Sequence, residues 1–174
     1  MYRAPMTRLA PGDQAPLFTT TAVIPHGQGF VQEEFSLAQA LSQTNTGVIV
    51  YFYPAAMTPG CTTQACDFRD SIASLTAQGY ALVGISPDSP DKLERFAQRD
   101  ALSFPLASDT DHAIAESFGA WGTRKLYGKE VVGIIRSTLV IAPGGTVAVA
   151  HYNVKATGHV ARLRKELNIN SLEQ

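Results

Sequence analysis

Cys61 and Cys66 are the only two cysteines of the chain, and their surroundings favour chemistry over packing. The first follows Pro54-Ala55-Ala56-Met57-Thr58-Pro59-Gly60, which itself follows the apolar run Val48 to Tyr53. That order puts a cysteine where a strand ends and a helix begins. Thr58 is a good helix N-cap, and Pro59 then falls at the first helical position, where its fixed φ and missing N–H are harmless. Cys61 is therefore expected in the first helical turn, near unpaired backbone N–H groups and the positive end of the helix dipole. Such a setting favours thiolate over thiol, and a thiolate is a nucleophile.

The elements that must hold these residues are readable from periodicity. Gly47 to Tyr53 is a short apolar run rich in β-branched and aromatic residues, as a buried strand requires. In the next helix Cys61, Ala65, Phe68, Ile72 and Leu75 recur at steps of four and three, and Gly79 supplies the stop. Tyr80 to Ser86 predicts a second strand. Ser89-Pro90 opens another helix, with Leu93, Phe96 and Ala97 facing the core. Phe104 to Ala107 predicts a short strand and Thr110 to Phe118 a helix. Val131 to Ile141 and Thr146 to Tyr152 read as strands joined at Pro143-Gly144-Gly145. Thr157 is expected to cap a last helix with Val160, Leu163 and Leu167 on its apolar face. Near the start, Phe18 to Val23 and Phe30 to Phe35 form a hairpin around a longer Ile24 to Gly29 connection. Alternating strands and helices followed by a hairpin and helix predict an α/β fold, a mixed sheet covered on both faces.

Composition narrows the class. A chain of 174 residues with 45% hydrophobic content suits one domain, spanning 1–174, with a full core. Its 14 basic and 15 acidic residues are mixed along the chain, so nothing points to nucleic acid or to a strongly charged partner. No apolar run approaches a membrane span, and Met1 to Arg8 lacks an apolar signal core, so the expected location is cytoplasmic. In a reducing compartment, a pair of cysteines is more often catalytic or metal-binding than structural. A metal site is not expected, because the cysteines lack C-x-x-C spacing and His26, His112, His151 and His159 are scattered. No cofactor is implied.

The pattern of Pro54, Thr58 and Cys61 resembles the active-site signature of the peroxiredoxins. The run from Tyr51 through Cys66 is similar to their bacterioferritin-comigratory (PrxQ) branch. So are Phe104-Pro105-Leu106 with Ser108-Asp109, Phe118-Gly119-Ala120-Trp121-Gly122, and Arg136 on a late strand. These segments keep the family's order from about residue 8 to about 167. The resemblance implies a thioredoxin-like fold with an N-terminal hairpin extension. It also implies a peroxidase acting on hydrogen peroxide and organic hydroperoxides, with thioredoxin or a similar dithiol as reductant. Cys61 would be the peroxidatic residue and Cys66 the resolving residue of the same chain. Thr58 and Pro54 would flank the sulfur, and Arg136 would set a fixed positive charge beside it. An intrachain partner removes the need for a second subunit, so a monomer is expected.

Magnitudes say which parts matter. A thiol whose pKa falls from about 8.5 to about 6 gains about 30-fold in thiolate at pH 7. A Brønsted slope of about 0.4–0.5, borrowed from attack on disulfides, takes back roughly tenfold. Fast peroxide reduction must then come mainly from donors aimed at charge developing on the oxygens, worth about 3–4 kcal/mol each. Thr58, first-turn N–H groups and Arg136 are the candidates, with Gln64 one turn on either orienting Arg136 or facing water. Spacing also constrains the disulfide. Five helical residues separate Cα atoms by roughly 8–9 Å, whereas disulfides need less than about 7 Å. The helix must unwind before Cys61 and Cys66 can join.

Blander readings stand beside these. Cys61 as a small core residue leaves its cap, proline and threonine unexplained, whereas Cys66 lies just off the apolar stripe and suits an incidental helical position better. Thr58 caps a helix in any case, Pro54 ends a strand in any case, and Trp121 is expected in the core. A redox sensor, in which the two cysteines switch a binding surface, would consume about one equivalent of peroxide. An enzyme would consume many.

Overall fold

The computed structural model describes residues 8–169. The strands are β1 Thr19–His26, β2 Gly29–Ser36, β3 Gly47–Phe52, β4 Tyr80–Ser86, β5 Leu106–Ser108, β6 Trp121–Leu126, β7 Lys129–Ile134, β8 Ser137–Ile141 and β9 Val147–Tyr152. The helices are α1 Leu37–Ser42, α2 Pro59–Ala77, α3 Pro90–Asp100, α4 Ala113–Ser117 and α5 His159–Glu166. Seven strands make one sheet in the order β2-β1-β5-β4-β3-β8-β9, and β6 and β7 form a separate ribbon. β3, β4 and β5 run parallel, with antiparallel partners at both sides. This is the mixed, helix-covered α/β sheet expected, a thioredoxin-like fold.

The strand β3 divides the core. All six of its residues are buried, because a central strand of a sheet covered on both faces has no solvent side. Side chains alternate between faces. Ile49, Tyr51 and the following Tyr53 pack with Phe68, Leu75, Phe96 and Leu163 on one side. Val48, Val50 and Phe52 pack with Leu37, Leu41, Ile114 and Phe118 on the other. The ring of Tyr51 stacks on Phe68 at 4.5 Å between centroids and covers Gly84 of the next strand. A Cβ on Gly84 would lie 2.8 Å from that ring, so glycine is needed there.

Several boundaries depart from the sequence reading. Ile24 to Gly29 is not a long connection: Ile24, Pro25 and His26 stay paired to Val31, Phe30 and Gly29, leaving a two-residue turn with Gly27 at φ +60. The hairpin joins the main sheet through Ala22 and Val23 against β5. The run Val131 to Ile141 is two strands rather than one, since β7 belongs to the ribbon and β8 to the main sheet. The break at Ile135 and Arg136 keeps its backbone satisfied, with Ile135 N–H donating to Ala120 and Val154 N–H to the Arg136 carbonyl. Helix α1 was not expected, although Ser36 caps it by accepting from Gln39 N–H at 3.2 Å. Thr157 does not cap α5, which starts after Gly158 with no side-chain cap bond. The helix expected at Thr110 is shortened to α4, where Asp109 accepts from Ile114 and Ala115 N–H. Met1 to Thr7 lie outside the described residues. Among the described residues no helix is long and apolar enough to cross a membrane.

Candidate active site

β3 delivers the chain to Pro54, and α2 begins at Pro59, so Cys61 lies in the first turn as its cap and proline predict. The thiol is 1% exposed. Its stripe partners Ala65, Phe68 and Leu75 are buried beneath the helix, which fixes the helix rotation and points Cys61 inward. Arg136, at the break between β7 and β8, donates from Nη2 to Cys61 Sγ at 3.3 Å. Its Nη1 donates to Gln64 Oε1 at 2.6 Å. Gln64 is completely buried, so its carbonyl holds the guanidinium rather than facing water. The structure thus brings Arg136, distant in sequence, to Cys61 and Gln64 on neighbouring turns of α2.

Thr58 stands at the N-cap position with extended backbone, but its side chain makes no cap bond. Its hydroxyl donates instead to the Ala55 carbonyl at 2.8 Å. The reason is local: Met57 has a left-handed φ of +66, which folds the chain back and brings the Ala55 carbonyl within reach. The N–H groups of Gly60 and Cys61 consequently receive no acceptor from the cap side chain. As first-turn N–H groups they have no partner within the helix and are free to donate to a ligand at its N-terminus. Pro54 is half-buried, and Thr58 is exposed at the entrance. Gly60 leaves room beside the arginine: a Cβ there would sit 3.5 Å from Arg136 Nη2.

Cys66 lies on the same unbroken helix and is half-buried, and both cysteines are free thiols. Burial pushes the Cys66 thiol up; Arg69 opposes this, and Asp100, Asp70 and Asp67 add to it. Contacts from the end of α3 reach the same stretch. Arg99 donates to Thr62 Oγ1 at 2.8 Å, and Arg69 donates to the Asp100 carbonyl at 2.7 Å. Behind the arginine, buried His159 meets Thr138 Oγ1 at 2.9 Å and is held down to about pKa 4, mainly by burial and then by His151, Arg162 and Arg136. Trp121 is half-buried, packs against the Val48, Val50 and Phe52 side of the core as expected, and stacks on His112 at 3.7 Å between centroids. Among the described residues no group of three or more His, Cys, Asp or Glu gathers to hold a metal ion.

Residues 11–150 match the model of the AhpC/TSA family. The chain belongs to that family. A putative peroxiredoxin of Mycobacterium tuberculosis is 52% identical over 163 residues, covering 94% of this chain and 98% of the relative. Peroxiredoxin Bcp of Escherichia coli is 41% identical over 154 residues, covering 88% and 92%. Among solved structures, the Xanthomonas campestris bacterioferritin comigratory protein, studied for alkyl peroxide reduction, superposes with a TM-score of 0.73 at 29% identity, covering 90% of this chain and 98% of that one. The protein is a peroxiredoxin of the Bcp/PrxQ type, a peroxidase acting on hydroperoxides.

Two contributors escaped the sequence reading. Asp88 was not singled out, although its carboxylate accepts from Ala56 N–H in the turn before α2. The pairing of Thr62 with Arg99 was equally invisible. Neither has a local pattern to betray it.

Proposed function

We propose that the protein reduces hydrogen peroxide and organic hydroperoxides through a Cys61 sulfenic acid and an intrachain Cys61–Cys66 disulfide, with a thioredoxin-like dithiol as reductant. The observation that carries this reading is the Arg136 guanidinium at 3.3 Å from a sulfur in the first turn of a helix. The Cys61 thiolate attacks one peroxide oxygen, the O–O bond breaks, and the other oxygen leaves as water or alcohol after taking a proton. Arg136 and the Gly60 and Cys61 N–H groups are the donors for charge on those oxygens, and the Thr58 hydroxyl joins them only by rotating off the Ala55 carbonyl. Gln64 orients Arg136, and Pro54 shields the sulfur from one side. Cys66 then attacks the sulfenic sulfur, forming the disulfide and releasing water. Two electrons from the external dithiol restore both thiols.

The intact helix sets the order of events. Both cysteines are helical residues of α2, roughly 8–9 Å apart at Cα by helix geometry, so resolution requires local unwinding. Unwinding also carries Cys66 away from the burial and carboxylates that hold its thiol protonated. Alkyl peroxide reduction by the Xanthomonas relative supports organic substrates. An intrachain partner lets one chain complete the cycle as a monomer and as one catalytic domain.

The test is peroxide-driven NADPH consumption with thioredoxin and its reductase. Wild type should turn over many equivalents. Cys61→Ser should consume none, since an alkoxide is too scarce near neutral pH. Cys66→Ser should react once and stall as a sulfenic acid. Wild-type turnover by Cys66→Ser would remove it from the cycle, and one equivalent per wild-type chain would favour a sensor.

A further inference from the structure

The turn Pro54 to Thr58 links a rigid strand to the reacting helix, and it contains a strained residue. Met57 sits in the left-handed region at φ +66, where a side chain other than glycine is disfavoured. Such a conformation persists only where its surroundings impose it. Three contacts surround it here: Met57 packs against the core, the Thr58 hydroxyl holds the Ala55 carbonyl, and one carboxylate holds Ala56. Asp88, just past the end of β4, accepts from Ala56 N–H at 2.7 Å through Oδ2. The same oxygen accepts from the Ser86 hydroxyl at 2.8 Å, and Oδ1 pairs with Lys92 at 3.1 Å. The Asp88 side chain is 9% exposed, and its own carbonyl accepts from Ser108 Oγ at 2.7 Å. Asp88 is therefore fixed to β4, β5 and α3 before it touches the turn.

We infer that Asp88 is a positioning residue of the peroxidase: it clamps the turn before α2 and so holds Cys61 in register with Arg136. This rests on Cys61 being the reacting sulfur. Ala56 is anchored two residues before the N-cap, with Met57 between them. Releasing its N–H frees Met57 to relax, and the start of α2 moves with it. The main chain of Arg136 is anchored outside α2, by Val154 N–H on its carbonyl and by β8 directly after it, so it does not follow; only its side-chain contact with Gln64 lies on α2, one turn past Cys61. The cost falls on the 3.3 Å contact between them. Displacements of about 1 Å at a reacting centre are enough to lose about 10²-fold in rate.

Asp88→Ala, Asp88→Asn and Lys92→Met separate the clamp from mere stability. Cys61 oxidation by hydrogen peroxide is followed by stopped flow, and Cys61 alkylation by iodoacetamide in parallel, under conditions where circular dichroism reports a folded chain. Asp88→Ala should slow oxidation by about 10- to 100-fold. Its alkylation rate should be unchanged or higher, because a loosened turn uncovers the sulfur. Asp88→Asn keeps one carbonyl oxygen for Ala56 and Ser86 and should recover to within about fivefold of wild type. Lys92→Met removes only the ion pair and should stay within about threefold. Ser86→Ala, which leaves the carboxylate in place, should slow oxidation less than Asp88→Ala and gives a second reading if Asp88→Ala fails to fold. Oxidation within threefold of wild type in Asp88→Ala, or in Ser86→Ala if only that folds, would overturn the inference. So would equal slowing in Asp88→Ala and Asp88→Asn, or alkylation that falls in step with oxidation. Cys61→Ser is the separate control: peroxide consumption surviving in it would overturn the assignment of the sulfur, and Asp88 with it.

Discussion

The first two turns of α2 and the rest of that helix are held by different physics. From Phe68 onward the helix is fastened by burial: Phe68, Ser71, Ser74 and Leu75 are covered, and Phe68 stacks on Tyr51 of the central strand. The stretch from Pro59 to Cys66 buries Cys61, Gln64 and Ala65 but no large apolar side chain, and it is fastened as well by side chains reaching in from elsewhere. Arg136 holds Cys61 and Gln64, and Arg99 holds Thr62. Pro59 and Thr63 are exposed, and Gly60, Thr62 and Thr63 are poor helix formers. One helix thus contains a half anchored by a large buried ring and a half that relies on small buried residues and a few polar contacts. A site that must be rigid for peroxide and then open for the second cysteine needs this division.

Crossing two substitutions breaks the comparison most sharply. Phe68→Ala should destabilise the fold by about 3–5 kcal/mol, the range for deleting a buried aromatic. Arg136→Met should cost little global stability yet slow Cys61 oxidation by about 10²–10³, the usual loss for one preorganised donor. Urea unfolding and stopped-flow oxidation on both variants test this. A stopped-flow rate for Arg136→Met within threefold of wild type would remove Arg136 from the site.

Much of this division is legible in the sequence. The steps of four and three from Cys61 to Leu75, with Thr58 and Pro59 before them and Gly79 after, locate α2 closely. The run Val131 to Ile135 is less readable, since its one glycine, Gly133, lies inside β7 and no glycine or proline stands at Ile135 and Arg136, where β7 leaves its ribbon and β8 joins the sheet. At Ile24 to Gly29 the polar and glycine residues suggested a loop, but strand pairing continues through Pro25 and His26 because an edge hairpin tolerates them. Gln64 stood out by position only; its partner is 72 residues away. Asp88 meets Ala56 across 32 residues, and periodicity carries no information about such a contact.

Buried His159 supplies a pH test. At the start of α5 and bonded to Thr138, it is held down to about pKa 4 from an ordinary 6.5, mainly by burial, so the folded state disfavours its proton. The unfolded chain binds more protons between those values, and stability must therefore fall as pH falls through that window. The contribution is fully present above pH 6.5 and amounts to up to about 3 kcal/mol. Urea midpoints from pH 7.5 to 4.5 should show the decline, and His159→Gln should flatten it. An unchanged slope in that variant would assign the pH dependence to another group.

The smallest expected effect concerns the polar fastening itself. Thr63 is exposed, and Thr63→Ala should favour helix by up to about 0.7 kcal/mol. Arg99→Met works in the opposite direction, because it releases Thr62 from the end of α3. If unwinding is the route to the disulfide, the first change should slow resolution by up to about threefold. The second should speed it by a similar factor, while both leave Cys61 oxidation untouched. Thr62→Ala is a poorer probe, since it combines a gain in helix propensity with the loss of the Arg99 contact. Quenched mass spectrometry after one equivalent of peroxide gives the disulfide rate, and further peroxide gives the sulfinic acid formed per turnover. Thr63→Ala should accumulate more sulfinic acid than wild type, and Arg99→Met less. Hydrogen exchange supplies the matching structural measurement: residues 59 to 69 should lose protection in the disulfide form while β3 and β4 keep theirs. If both substitutions shift resolution the same way, or residues 59 to 69 are equally protected in both redox forms, the bond forms without unwinding, and the weak half of α2 has no part in resolution.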